Sequence, residues 1–205
     1  MSTRAIDSSP SAIPPTQTNH HVCPWWVGYL LLFPLRRLAE SPERLLGPLV
    51  AQGMHVLDFG ASMGYFSLPA ARLVGPTGRV VSVDLADKAL SVLRRRARRA
   101  RLGDRIDVVR SNGAFDWCDG RRESFDLALT MYVVHELPDA KAGLAHVVAC
   151  LKPGGKLLIA EPKGHVTKEA FAAELQHLAD LGMTPLPAPT VRRGHIALLA
   201  KSDPR

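Results

Sequence analysis

From residue 55 onward the chain alternates between short apolar runs and stretches of helical periodicity. HVLDFG (55–60) is an apolar, partly β-branched run that ends in a glycine turn, and the spacing predicts a helix over 63–74. GPTG (75–78) marks a turn, and RVVSVD (79–84) reads as a second buried strand. Asp87 is expected to cap a helix that runs to about Arg101. RIDVVRS (105–111) and FDLALT (125–130) predict a third and a fourth strand. A helix is expected over 138–151, ended by LKPGG, which leads into a fifth strand, KLLIAEP (156–162). Thr167 caps a helix to about Leu181, HIALLAK (195–201) is a final strand, and residues 183–191 supply one more.

Strands that are apolar on both faces, separated by helices, indicate a mostly parallel sheet covered on two sides, an α/β fold. Such a sheet binds ligands beyond the carboxyl ends of its strands, so the residues just after each strand are the ones to examine. Ahead of this region the texture differs. Residues 1–20 are rich in Ser, Thr and Pro and read as a disordered leader. Residues 21–52 read as a second, helical segment, with Ser41 as N-cap and Pro42 at the first helical position. Residues 53–205 form the main domain.

Composition narrows the classes. The 205 residues carry 46% hydrophobic and 22% charged side chains, ordinary for a globular protein. The net charge of +7 is concentrated in LRRRARRAR (93–101). There, Leu90, Leu93, Ala97 and Ala100 fall on one helical face and the arginines on the rest, so a solvated amphipathic helix accounts for the run. No aromatics are interleaved for base stacking, which argues against nucleic acid as partner. Cys23, Cys118 and Cys150 are odd in number and widely spaced, and no CxxC occurs. That predicts a reduced, cytoplasmic chain without a disulfide framework or a metal site. The apolar run 25–35 is about half the ~20 residues of a spanning helix.

The chemistry concentrates in the strand ends. After the first strand comes Asp58-Phe59-Gly60-Ala61-Ser62-Met63-Gly64. A pyrophosphate cradle wants G-x-G-x-x-G, which this loop lacks, and Asp58 would repel phosphate while attracting an ammonium group. Asp84 ends the second strand, 24 residues beyond Gly60, where an acid can accept both hydroxyls of a ribose. Ser111-Asn112-Gly113 follows the third strand, and the amide can read a purine edge.

VLDFGASMG, VSVDL, RSNGAFDW, FDLALTMYVVHEL and LKPGGKLLIAEP together resemble the motifs of class I S-adenosylmethionine-dependent methyltransferases, most closely the small-molecule, ubiquinone/menaquinone methyltransferase-like branch. The resemblance covers about residues 53–162. It implies a Rossmann-like doubly wound sheet of seven strands, order 3-2-1-4-5-7-6 with the last strand antiparallel, in three α/β/α layers. It also implies S-adenosylmethionine as cofactor. Asp58, Gly60, Ala61, Ser62 and Gly64 would line its methionine moiety, and Asp84 would hold the ribose. Leu85 would pack on the adenine, Asn112 and Gly113 would meet the adenine edge, and Thr130 and Met131 would close the pocket. One residue departs from the pattern: Ser62 stands where the family normally carries glycine. If that position needs positive φ, a non-glycine residue costs roughly 1 kcal/mol.

The acceptor side is less specified. MYVVHELPD (131–139) places Tyr132, His135 and Glu136 after the fourth strand, and His135 can take a proton from an acceptor. Glu161 and His165 follow the fifth strand. The resemblance implies that residues 21–52 form an N-terminal helical lid segment over the acceptor, and Trp25, Trp26 and Tyr29 within it are candidates to line an apolar acceptor pocket. The expectation is methyl transfer to a small molecule by a monomer or homodimer. The alternatives are a non-catalytic cofactor-binding module, an RNA methyltransferase recruited through the Arg-rich helix, and a metalloid or thiol acceptor.

Overall fold

The computed structural model describes residues 41–112, 115–191 and 194–203. The leader, most of the lid segment with Cys23, Trp25, Trp26 and Tyr29, and Gly113 lie outside the described residues. The first described element is a short helix, α1 (Pro42–Leu46). Ser41 caps it, its Oγ accepting from the Arg44 N–H at 3.4 Å, and Leu45 and Leu46 are buried.

The remaining elements are β1 (His55–Phe59), α2 (Ser67–Leu73), β2 (Arg79–Asp84), α3 (Asp87–Arg99), β3 (Ile106–Arg110), β4 (Phe125–Met131), α4 (Ala140–Cys150), β5 (Leu151–Pro162), α5 (Lys168–Asp180), β6 (Met183–Leu186) and β7 (Gly194–Lys201). Short 3₁₀ turns occupy Gly103–Arg105, Asp116–Cys118 and Val134–Glu136. The strands form one seven-stranded sheet in the order β3-β2-β1-β4-β5-β7-β6. β1 runs parallel to β2 and β4, and β7 runs antiparallel to both β5 and β6. The order and the reversed last strand agree with the expectation.

Two apolar layers cover the sheet. One joins Val56, Leu129 and Leu158 to α1, α2 and α3 through Leu46, Leu68 and Leu93. The other joins Leu57, Ala128 and Ile159 to α4 and α5 through Leu144, Phe171 and Leu178. The alternation 56/57, 128/129 and 158/159 is the two-residue period of a strand buried on both faces. Truncating a fully buried leucine such as Leu93 or Leu157 to alanine should cost about 2–5 kcal/mol.

Several boundaries differ from the expectation, each for a local reason. The helix expected from Met63 starts at Ser67, because Gly64 has φ +79 and a right-handed helix cannot pass through it. Asp87 is the first residue of α3 rather than its cap. Ala86 takes the cap position, and its N–H donates to Asp84 Oδ1 at 2.8 Å. LKPGG is not a loop but the start of β5. Gly154 at φ +71 absorbs a register shift against β4, and Lys152 Nζ reaches Asp126 at 2.6 Å. Five of the six arginines in the run are exposed as expected, whereas Arg96 is partly buried and donates to the Met63 carbonyl.

The cysteines also depart from the expectation. Cys118 and Cys150 are joined as a disulfide, their Cα atoms 6.5 Å apart. The partners are 32 residues apart in sequence, and the pairing arises because the Asp116–Cys118 turn packs on the end of α4. A wide spacing in sequence does not keep two cysteines apart in space. The pair also removes two of the three thiols from any metalloid site. Among the described residues no cluster of His, Cys, Asp and Glu is disposed to hold a metal, and no helix is long and apolar enough to cross a membrane.

Candidate active site

The carboxyl ends of β1, β2, β4 and β5 meet at one edge of the sheet. The loop after β1 turns sharply at Gly60, with φ +80. A Cβ there would stand 2.5 Å from Val133 Cγ2, so glycine lets the turn after β4 lie directly on this loop. Gly64 serves packing: a Cβ would meet Leu68 and Leu93 at 2.8 and 2.9 Å.

The loop amides are already engaged. Gly60 and Ala61 N–H both donate to the Val83 carbonyl, at 2.9 and 3.0 Å, and Ser62 N–H donates to Asp84 Oδ2 at 2.8 Å. An anion cradle needs such amides to point at a ligand. These point at β2 instead, which supports the exclusion of a pyrophosphate site. Ser62 has φ +47, so the position does demand the left-handed conformation that glycine adopts without strain.

Asp84 is held at both oxygens, by Ser62 N–H on one side and Ala86 N–H on the other. Each oxygen keeps a second acceptor direction for a hydroxyl. Burial raises its carboxyl above the ordinary range, opposed by the amides of Ala86 and Ser62. Next to it, Leu85 is 44% exposed, the one large apolar side chain left open among the described residues. An apolar surface beside a carboxylate that can accept two hydroxyls suits a flat base attached to a ribose. Asn112 is exposed at the end of β3.

Asp58 lies on the other side of the loop and is 2% exposed. Ser67 Oγ of α2 donates to its Oδ2 at 2.5 Å. Burial pushes its carboxyl up to about 7, against the Ser67 hydrogen bond and with help from the charge of Asp84. Thr130, at the end of β4, is fully buried and its hydroxyl has no partner. Met131 is 6% exposed and packs with the layer that holds Leu129 and Ala160.

The turn after β4 gathers titratable side chains. Tyr132 has φ +63, and its N–H donates to the Ala160 carbonyl at 2.7 Å, which pins the turn to β5. Glu161 is fully buried at the end of β5. Its Oε1 accepts from Val134 N–H at 3.0 Å, and its Oε2 accepts from His135 N–H at 3.4 Å and is bonded to His135 Nδ1. This bond raises the imidazole above its ordinary value; burial opposes it, and the charges of Glu161, Glu136 and Glu174 add to it. The His135 side chain is 18% exposed, and the His165 ring stands edge-on to it at 5.5 Å. Glu136 is raised by burial and by Asp84 and Glu161, a coupling that ties this turn to the end of β2.

Sequence reasoning did not single out Glu174. It lies on α5 three residues after Phe171 and four before Leu178, the two buried residues of that helix. A carboxylate on the apolar stripe was the available signal.

The described residues fit S-adenosylmethionine: a carboxylate for an ammonium, a carboxylate for ribose hydroxyls, an exposed leucine for adenine, and the buried, unpartnered hydroxyl of Thr130. Comparison with known proteins agrees. Residues 56–155 match a family described as "Methyltransferase domain". The ubiquinone/menaquinone biosynthesis C-methyltransferase UbiE of Pasteurella multocida is 32% identical over 113 residues, 55% of this chain and 41% of the relative. That of Pseudoalteromonas translucida is 32% identical over 146 residues, 69% of this chain and 57% of the relative. The chain thus spans about half the length of these relatives. A solved S-adenosylmethionine-dependent methyltransferase from Aquifex aeolicus superposes with a TM-score of 0.74 at 19% identity, covering 87% of this chain and 98% of that one. The family match over residues 56–155, with the sheet order, makes that stretch a class I S-adenosylmethionine-dependent methyltransferase domain.

Proposed function

We propose that this protein transfers a methyl group from S-adenosylmethionine to a small-molecule acceptor, a carbon or oxygen nucleophile made by removal of a proton. The observation that carries the reading is the seating of Val133 on Gly60, which sets His135, two residues on, beside the loop expected to hold the donor. Asp58 faces the ammonium of the methionine moiety, Asp84 the ribose hydroxyls, and Leu85, Asn112 and Gly113 the adenine. Gly60, Ala61, Ser62, Gly64 and Thr130 line the same pocket. When bound, the sulfonium supplies an electrophilic methyl group; the protein supplies position and a base.

His135 is that base. Glu161 holds Nδ1, which leaves Nε2 as the nitrogen available to an acceptor. An activating carboxylate behind an imidazole favours the imidazolium that forms when the acceptor gives up its proton. Likeness to C-methyltransferases favours a carbon acceptor, activated by ionising a hydroxyl on the same conjugated system. Tyr132, with Trp25, Trp26 and Tyr29 of the lid segment, completes the acceptor side; Glu161, expected there from the sequence, is fully buried and acts only by holding His135. The same reading takes the protein as a cytoplasmic monomer or homodimer.

A screen of phenols, quinols, thiols, amines and metalloids for release of S-adenosylhomocysteine tests the proposal. Turnover with a phenol or quinol that disappears in His135→Ala supports it. Turnover restricted to thiols or metalloids, unaffected by His135→Ala, defeats it. The strained Ser62 favours one further reading, a non-catalytic module with weakened cofactor affinity. An RNA acceptor gains no support from the arginines: Arg98 and Arg99 lie in the last turn of α3, which leads away from the site toward the start of β3.

A further inference from the structure

The turn after β4 rests on two glycines. Val133 is seated on Gly60 of the donor loop, and its neighbour Tyr132 reaches the other way. Tyr132 has φ +63, unusual for a bulky residue, and its N–H is tied to the Ala160 carbonyl of β5. In the strand order β4-β5-β7, its side chain passes over the end of β5 and meets Gly194, the first residue of β7. A Cβ at Gly194 would stand 3.1 Å from Tyr132 Cε1, 3.2 Å from Val191 Cγ2 and 3.1 Å from the Glu161 carbonyl oxygen. That carbonyl is held in place, because Glu161 pairs with His195 across the β5–β7 ladder. Gly194 does not have a positive φ, so its backbone would accept alanine; what glycine supplies here is room. The groups that can yield are side chains: Val191, and the ring of Tyr132, which is half-buried and packs with Val191 and Ile196 on the same layer.

We propose that Gly194 is a specificity-determining position that acts through Tyr132: it lets the ring lie back on β7, and this sets how large an aromatic acceptor the site admits. The inference deepens the assignment of Tyr132 to the acceptor side and rests on it. Gly194 lies outside residues 56–155, the stretch that matches the methyltransferase family, so that likeness assigns it no role. A side chain at position 194 would push the ring off β7 toward the acceptor and narrow the site. Losing about one methyl group of room in an apolar pocket changes discrimination by roughly 10- to 200-fold. The loss falls on large acceptors, because a small ring does not need the room. The donor side is spared, since the contact with the donor loop runs through Val133 and not through Tyr132.

The test is an NMR titration of the full-length protein with ring-labelled tyrosine, in the presence of S-adenosylhomocysteine, using phenol as a one-ring probe and 1-naphthol as a two-ring probe. The chain has three tyrosines, so Tyr29→Phe and Tyr65→Phe assign the Tyr132 signal. Wild type should show a contact between Gly194 Hα and the Tyr132 ring, and both probes should shift that ring. In Gly194→Ala the ring signal should move before any probe is added. Binding of 1-naphthol should then weaken about tenfold or more relative to phenol, with the affinity for S-adenosylhomocysteine unchanged. In a Tyr132→Ala background, Gly194→Ala should no longer alter the ratio of the two probes. A wild-type Tyr132 ring that neither probe shifts overturns the proposal, and so does a folded Gly194→Ala with an unchanged ratio. If Gly194→Ala fails to fold, Tyr132→Trp decides: its larger ring takes up the same room and should also weaken 1-naphthol against phenol, and an unchanged ratio overturns the proposal. A protein that does not bind S-adenosylhomocysteine would defeat the methyltransferase reading, whereas one that binds it with no shift of Tyr132 defeats this inference alone.

Discussion

His135 Nδ1 is hydrogen-bonded to Oε2 of Glu161, a carboxylate with no exposure to solvent that also holds the backbone N–H of Val134 and His135. One side chain at the end of β5 thereby fixes both the turn after β4 and the tautomer of its histidine. The two residues are 26 positions apart and meet because β4 and β5 are neighbours in the sheet.

This pairing predicts the pH dependence of turnover. A base works in its neutral form, and Glu161 raises His135 above 6.5, so activity should rise with pH through a midpoint above that value. Glu161→Gln should move the limb down and lower turnover by roughly tenfold to a hundredfold. For stability the sign is opposite. The contribution of the pair is complete below the unfolded histidine value and is lost as pH rises through the raised one. Thermal melts of wild type and His135→Ala at pH 6 and pH 9 check this: the difference should shrink at pH 9.

Asp84→Ala should weaken S-adenosylhomocysteine binding by more than tenfold, about 1.4 kcal/mol or more. The structure adds a second consequence. Asp84 also accepts from Ser62 and Ala86, so the variant leaves two amides without their partner and should lose about 1–2 kcal/mol of stability. Calorimetry and denaturant melts measure the two separately. Unchanged affinity would remove Asp84 from the ribose site.

Ser62→Gly should be stabilising. At φ +47 the serine carries about 1 kcal/mol of strain that glycine does not. A urea midpoint that rises, with cofactor affinity equal or higher, is the expected outcome; a fall would mean that the serine side chain makes a contact worth more than the strain.

Asp58 makes cofactor binding and folding depend on pH in opposite ways. Its carboxyl, raised to about 7, is partly protonated at neutral pH when no ammonium is present. Binding a cation requires the carboxylate, so affinity should fall as pH drops below about 7. In the free protein the raised value means that the folded state holds the proton more tightly than the unfolded chain. Stability should therefore be highest below the unfolded value near 4, decline as pH rises to about 7, and stay flat beyond. Asp58→Asn should remove the decline, gain stability at pH 8, and lose cofactor affinity.

The strands were legible because each is a short apolar run buried on both faces, and HVLDFG, RVVSVD and KLLIAEP need no tertiary information to be recognised, whereas their order came from the family resemblance. What the residues did next was less legible. The start of α2 depended on φ at Gly64, and KPGG became a bulged strand because β4 was there to pair with it. Cys118 and Cys150 met because a turn packed on a helix end. Asp58 and Asp84 were identified as acids facing a ligand, but pattern alone did not reveal that Ser67 holds one and the loop amides hold the other. Glu174 was hidden in a helix that otherwise reads as amphipathic, although its place between Phe171 and Leu178 put it on the buried face.

Isothermal titration of the protein with S-adenosylhomocysteine tests the central claim most directly. The account predicts one site per chain with a Kd well below 1 mM, weakened more than tenfold in Asp84→Ala. No detectable heat at millimolar ligand, from a protein whose melt shows it folded, would contradict it.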